Sequence, residues 1–421
     1  MDGKKIIIAT YGTRGDIQPL LALALALQGH AHEVRLAAPP EHATWITDRG
    51  CAFSPLGSDF SQVINRYPHV HTLKPLIDFL DFFRHEIRKQ LSQLPGIIDG
   101  ADLVLGASLC MGLRSAAELA GIPYGFVAMA PQMLPSAQHP FIAAKAQNMP
   151  LFLNRLSWKM ARWIDQLNLR AVINKERRNF GLTPIKDVLS HVLGNHVMVA
   201  SDPVLAEIPS DVGLDCTQTG YLHLAPNQRL PNELEEFFAS GPAPVYFGFG
   251  SMSTRDQEAL VSLILKCLDS EGRRGIFTGF RFDQKQLATS ADCIFIKQIP
   301  HSLIFPRVAA VVHHGGSGTT ATAAMAGVPQ IIVPHILDQY YWAERVFRRG
   351  LGPSPIRRSR LTAGRMAKAI HESLSDNGYQ HRAIEVAKTI KPGDSLRQAV
   401  EFVEATFFSD ESTNSGLISQ N

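Results

Sequence analysis

Three groups in this sequence have the residue types and spacing for chemistry: a carboxylate beside a strand, a glycine-rich turn with two histidines, and an acid–amide pair one strand later. The carboxylate is Asp16, in Tyr11-Gly12-Thr13-Arg14-Gly15-Asp16-Ile17-Gln18-Pro19. An Asp at a helix N-terminus is either a cap, worth ~1 kcal/mol, or a general base placed to take a proton from a hydroxyl. Thr13, Arg14 and Gly15 give its loop the look of a polar cleft wall. The turn is His313-His314-Gly315-Gly316-Ser317-Gly318-Thr319-Thr320, between the apolar Val308–Val312 and a small-residue helix. Glycines without a Cβ let an anion approach the backbone, and the free amides and dipole of a first helical turn attract it. His, Ser and Thr side chains add donors, so the segment suits a diphosphate; the plainer reading is a βα turn with glycines for close packing. Asp338-Gln339 follows the next strand, where ligands of open α/β sheets gather. Phe247-Gly248-Phe249-Gly250-Ser251-Met252-Ser253 approaches G-x-G-x-x-G with Ser253 in place of the last glycine. Gly250 and Ser251 are there either to meet a phosphate across the cleft or simply to turn the chain. No G-x-x-x-x-G-K-[ST] is present, which argues against P-loop hydrolysis. His69, His71 and the pair His313-His314 lack H-E-x-x-H or clustered Cys/His spacing, so no metal is expected.

The elements that must position these groups alternate strand-like and helix-like along the chain, as in parallel α/β sheets. At 421 residues the chain exceeds one compact core and suits two domains. The expected architecture is α/β, two Rossmann-like domains facing a cleft: residues 1–222, then 240–405, with a polar, disordered tail at 409–421 and a linker within the proline-rich Leu222–Pro244. A net charge of +3 is too small to argue for nucleic acid. Five scattered cysteines without a C-x-x-C pair read as reduced residues of a cytoplasmic protein. The N-terminus carries no long apolar h-region, and no run approaches the ~20 apolar residues of a membrane span. Leu151–Phe180 reads as one amphipathic helix carrying Arg155, Lys159, Arg162, Arg170, Lys175, Arg177 and Arg178 with Trp158 and Trp163. Its basic face is either solvated or in peripheral contact with an anionic membrane. Phe79, Phe82, Phe83, Met111, Met129, Met133 and Leu134 are either ordinary core or the wall of an apolar acceptor pocket.

Together these residues resemble the inverting family 1 glycosyltransferases of the GT-B fold, with the bacterial antibiotic and the sterol or lipid glucosyltransferases the nearest in look. The resemblance covers the chain to about residue 405, carried by Val311–Val346 and by the loop Gly12-Thr13-Arg14-Gly15-Asp16-Ile17-Gln18-Pro19. It implies transfer of a hexose, glucose, from a UDP-type donor to a hydroxyl of an apolar acceptor such as a sterol, terpenoid, lipid or polyketide. The nucleotide sugar is a substrate, and no cofactor is implied. Asp16 stands where plant members carry a catalytic His, and no acid to orient it is evident near Ala107–Leu109; Asp338 remains a second candidate base. The resemblance makes His314, Gly316, Ser317, Gly318 and Thr319 diphosphate contacts, and Asp338-Gln339 the holder of the sugar hydroxyls. Thr13, Arg14, Gly15, Gly250 and Ser251 complete the donor side. Gln298-Ile299 would flank the nucleobase, with Gln298 where plant members stack a Trp and Thr322 where they hold the ribose with a Glu. Those departures leave UDP and dTDP both open. Two rival readings are a sugar-nucleotide epimerase, which needs no acceptor pocket, and a nucleotide- or NAD-binding module without transfer chemistry.

Overall fold

A computed structural model describes residues 3–60, 73–249, 257–280, 292–297 and 299–409, with the backbone alone for 73–80. The first β-strand, β1 (Lys5–Tyr11), carries the apolar run Ile6–Ala9 and is buried on both faces from Ile6 onward, the pattern of a central parallel strand. Its partners follow as βα units: α1 (Arg14–Gly29), β2 (Glu33–Ala38), α2 (Ala43–Thr47), β3 (Ala52–Pro55), α3 (Leu73–Ile97), β4 (Leu103–Ser108), α4 (Leu113–Ala120) and β5 (Tyr124–Ala128). A long loop then leads to α5 (Leu151–Asn168), α6 (Arg170–Asn179), α7 (Val188–Leu193), β6 (His196–Val199) and β7 (Asp215–Gln218). The seven strands form one sheet in the order β3-β2-β1-β4-β5-β6-β7.

The second series runs α8 (Asn232–Ala239), β8 (Val245–Gly248), α9 (Gln257–Glu271), β9 (Gly275–Thr278), β10 (Cys293–Ile296), α10 (His301–Ile304), β11 (Ala310–His313), α11 (Ser317–Met325), β12 (Gln330–Ile332) and α12 (Gln339–Arg348). Three helices close the chain: α13 (Ala363–Ser375), α14 (Asn377–Thr389) and α15 (Pro392–Phe407). The five strands order as β10-β9-β8-β11-β12. Each sheet reverses direction once, between β1 and β4 and between β8 and β11. Tyr11 lies opposite Ser108 and His313 opposite Gly248 at those two reversals. Such switch points open a crevice at the C-terminal strand ends, and the loops that follow are the ones carrying Asp16 and the glycine turn.

The structure departs from the sequence expectations in three places. The stretch Leu151–Phe180 is two helices, α5 and α6, broken at Leu169. Within the expected linker, α8 buries Leu234 and Phe237 against Tyr246 and Ile276, so the second domain begins before residue 240. At the other end, α15 packs on the first domain. Its Ala399, Val400 and Val403 join the core of β1 and α1, so the boundary at 405 gives way to a chain that returns to the first domain. Apolar packing decides all three, and none is visible in local composition. The five cysteines are free thiols. The tail residues 410–421 lie outside the described residues.

Candidate active site at the sheet reversals

Asp16 sits in the first turn of α1 and serves there as a cap as well as a cleft group. Its Oδ2 accepts from the Thr13 backbone N–H at 2.8 Å and from the Thr13 hydroxyl at 3.0 Å. Its Oδ1 accepts from the Ser108 hydroxyl at 2.8 Å. Both oxygens are therefore held in place by hydrogen-bond donors. The tuck requires Gly12, where a Cβ would lie 2.5 Å from Asp16 Oδ2. Ser108 closes β4 at φ 50°, a left-handed conformation that a non-glycine residue adopts at a cost. Arg14 lies over the Trp45 ring at 4.6 Å, with Arg49 also near that ring at 4.9 Å. Burial and the Arg49 charge push Arg14 below its ordinary value.

Across the cleft, the two histidines of the turn divide their labour. His313 is fully buried; its ring faces Gln330 Oε1 at 3.0 Å and accepts from the Gly315 N–H at 3.1 Å. It braces the turn and offers nothing to a ligand. His314 is the one at the cleft, and its Nδ1 has no partner. Burial, with His335 and His301 nearby, pushes it down to about 4, so the ring is a neutral imidazole at pH 7. Gly315 adopts φ +91° and a Cβ there would meet Gln339 O at 2.9 Å; on Gly316 a Cβ would meet His314 Nε2 at 2.6 Å. These two glycines let the turn fold flat beneath His314 and against the start of α12.

The remaining sequence-assigned residues sort unevenly. Ser317 sends its hydroxyl proton across to the Met129 carbonyl at 3.1 Å, tying the two domains; its amide stays at the open end of α11. Gly318 faces the Tyr221 hydroxyl, 2.5 Å from where a Cβ would stand. Thr319 follows in the same first turn. Thr322 donates to Gly318 O at 2.7 Å and supplies no ribose carboxylate. Gln339 Oε1 accepts from the amides of His335 and Ile336 at 2.8 and 3.1 Å, which leaves its NH₂ for a ligand. Asp338 feels both burial and the Asp16 carboxylate, and is pushed up to about 7. Ile299 is buried among Tyr246 and Ile304, so its side chain fills core and does not flank a base. Gly250, Ser251 and Gln298 lie outside the described residues, as does the side chain of Phe79.

Of the apolar acceptor set, Met129 is buried in the first-domain core and Met133 packs against it, with Met133 Sδ 3.3 Å from the Met129 amide nitrogen. Leu134 is wholly buried core and Met111 packs beside it on Ile87 and Leu91, so those two follow the plainer reading. Phe83 is nearly buried and stands edge-on to Phe82. Sequence reasoning passed over Ser108, Tyr221 and His335. His335 has neither ring nitrogen partnered, and burial together with Arg358 pushes it down to about 4. Only its place three residues before Asp338 could have singled it out. Among the described residues no group of His, Cys, Asp and Glu could hold a metal ion.

Residues 6–138 match the family described as Glycosyltransferase family 28 N-terminal domain. Residues 282–395 match the C-terminal domain described as Erythromycin biosynthesis protein CIII-like. The vancomycin aglycone glucosyltransferase of Amycolatopsis orientalis is 34% identical over 402 residues, covering 92% of this chain and 94% of that protein. A sterol 3-beta-glucosyltransferase of Arabidopsis thaliana is 31% identical, covering 94% of this chain and 67% of its own length. Among solved structures, the calicheamicin glycosyltransferase superposes with a TM-score of 0.73 at 18% identity, covering 96% of this chain and 98% of its own.

Proposed function

Since the chain belongs to the glycosyltransferases and has their GT-B fold, we propose that it moves glucose from UDP-glucose to a hydroxyl of an apolar small molecule, with inversion at the anomeric carbon. The acceptor is a sterol, terpenoid, lipid or polyketide alcohol. The observation that carries this reading is the Asp16 carboxylate, pinned by Thr13 and Ser108 at one sheet reversal, with the amide end of α11 at the other. Asp16 takes the acceptor proton as the oxygen attacks the anomeric carbon. The first-turn amides of α11 and the neutral His314 donate to the departing diphosphate. Asp338 and the Gln339 NH₂ meet the sugar hydroxyls. Domain closure brings donor and acceptor into line. Glucose is favoured because the vancomycin aglycone and sterol relatives are named as glucosyltransferases. A dTDP-epi-vancosaminyltransferase at 30% identity keeps dTDP sugars in the test.

Mass spectrometry of products from UDP-glucose and dTDP-glucose, each with sterols, polyketide alcohols and small hydrophilic sugars, tests the reading. A glucosylated apolar alcohol from UDP-glucose is expected. Efficient transfer to hydrophilic sugars alone would overturn the acceptor class. Epimerised sugar with donor alone would overturn transfer itself.

A further inference from the structure

Helix α5 is held by one face only. Asn154 Nδ2 donates to Ala137 O at 2.8 Å and Trp158 Nε1 to His139 O at 3.1 Å. The Trp158 ring stands edge-on to His139 and Phe141. His139 in turn meets Tyr341 of α12 edge-on. The inner face of α5 therefore clamps the loop between β5 and α5, which touches α12 of the second domain through His139.

The outer face is the reverse of an ordinary surface helix. Phe152, Leu156, Met160, Trp163, Ile164 and Leu167 recur at spacings of three and four and form one stripe. All six point away from the core: Phe152 is 66% exposed, Trp163 62%, Leu167 58% and Met160 56%. Single apolar residues scattered over a surface need no explanation, but a continuous stripe of this length marks an interaction site. Arg155 and Lys159 run along one edge of the stripe, both exposed, and neither makes an ion pair among the described residues. Arg162, half-buried, reaches Asp187 at 3.9 Å. The only acid of the helix, Asp165, is on its inner half, where burial and Asp187 push it up to about 6. The charge exposed along the stripe is thus entirely positive.

An occupant must bring an apolar surface and anions in the same plane. A second copy of this helix brings another row of cations, and like charges across an interface are repulsive. An anionic bilayer brings acyl chains for the stripe and phosphates for Arg155 and Lys159. No helix among the described residues is long and apolar enough to cross a membrane, so attachment would be in the plane of the surface. We propose that α5 lies in the interface of a membrane containing anionic phospholipid, with Phe152, Met160 and Trp163 at the acyl boundary and Arg155 and Lys159 among the headgroup phosphates. The loop at Ala137–Phe141 then stands one helix diameter, ~10 Å, from the lipid, and an apolar acceptor has a short way from bilayer to cleft.

The test is sedimentation of the full-length protein with phosphatidylcholine vesicles and with vesicles of phosphatidylcholine plus phosphatidylglycerol. Two double variants are compared, Phe152→Ser with Trp163→Ser and Arg155→Gln with Lys159→Gln, each checked for an unchanged melting temperature. The wild type is expected on the anionic vesicles, with a blue-shifted tryptophan emission and with binding that weakens as salt rises. The charge variant should partition about 30-fold more weakly, from two lost phosphate attractions, and the apolar variant should stay in the supernatant. Wild-type protein that stays in the supernatant with both vesicle types overturns the proposal. So does vesicle binding that survives both variants. Sedimentation velocity showing a dimer that the apolar variant dissociates, without vesicle binding, would assign the stripe to a second copy.

Discussion

At the scale of single residues, Asp16 and Ser108 are best understood as a pair. The Ser108 hydroxyl donates to Asp16 Oδ1 from a left-handed backbone position. Asp16→Asn keeps a cap of similar shape but removes the proposed base, so the fold and donor affinity should persist while turnover falls ~10²-fold or more. Near-normal turnover would move the base to Asp338. For Ser108 two substitutions separate chemistry from strain. Ser108→Ala loses the hydrogen bond and keeps the strain; Ser108→Gly loses the bond and relieves it. If the bond matters for catalysis, both should lower kcat by a similar factor, on the order of tenfold, while Ser108→Gly melts higher than Ser108→Ala. A kcat that recovers in the glycine variant would show that Ser108 acts only through backbone geometry. His314, pushed down to about 4 by burial and its histidine neighbours, is neutral across the working range. His314→Gln should therefore weaken UDP binding by a factor that is the same at about pH 6 and about pH 8, because a group titrating near 4 carries no charge at either. His314→Ala should weaken UDP binding by ~1–3 kcal/mol, the loss of a hydrogen bond to a charged group. Calorimetry at the two pH values checks both.

At the scale of elements, the turn between β11 and α11 is a packed joint, because Gly315 has φ +91° and its Cα faces the Gln339 carbonyl. Gly315→Ala should clash with that carbonyl and with Ile332 while also forcing an unfavourable φ. A loss of ~1–3 kcal/mol is expected, read as a lower melting temperature with weakened nucleotide binding. An unchanged melting curve would mean that the joint adjusts freely. The strands and helices around this joint were legible because a buried parallel strand is a continuous apolar run and its helix begins at polar or glycine residues. The apolar run Val308–Val312 marks β11 in this way, to within two residues of its observed limits Ala310–His313. The break at Leu169 could not, since no Pro or Gly marks it. Nor could α8, a helix begun after Pro231 in a stretch whose prolines and polar residues suggest a linker. In the site, Asp16 and His314 were legible from their motifs. Ser108 was not: its role depends on β4 pairing with β1, a contact across 92 residues of chain. The burial of Ile299 and the bracing role of His313 likewise come from tertiary packing, which residue type does not encode.

At the scale of the whole molecule, two carboxyl groups from different domains oppose each other: Asp16 from the first sheet and Asp338 from the second. Asp338 pays for that position, being pushed up to about 7, first by burial and then by the Asp16 charge. The domains are nonetheless held together by Ser317 on the Met129 carbonyl and by the apolar contact of Ala130, Leu205 and Ala206 with Tyr341 and Trp342. The return of α15 to the first core adds a second covalent crossing between them. This arrangement has a signed consequence for stability. An unfolded Asp ionises near about 4, whereas folded Asp338 holds its proton until about 7. Between those values the folded state binds the extra proton, so stability falls as pH rises through the window and stays lowered above it. Asp338→Asn removes that dependence. The variant should melt a few degrees above the wild type at about pH 8, with the gap closing as the pH approaches about 4. The same variant should bind the donor sugar less well, because a carboxamide replaces a hydroxyl acceptor that the sugar needs. A melting difference that is constant with pH would show that the folded protein does not hold the Asp338 carboxyl above its ordinary range.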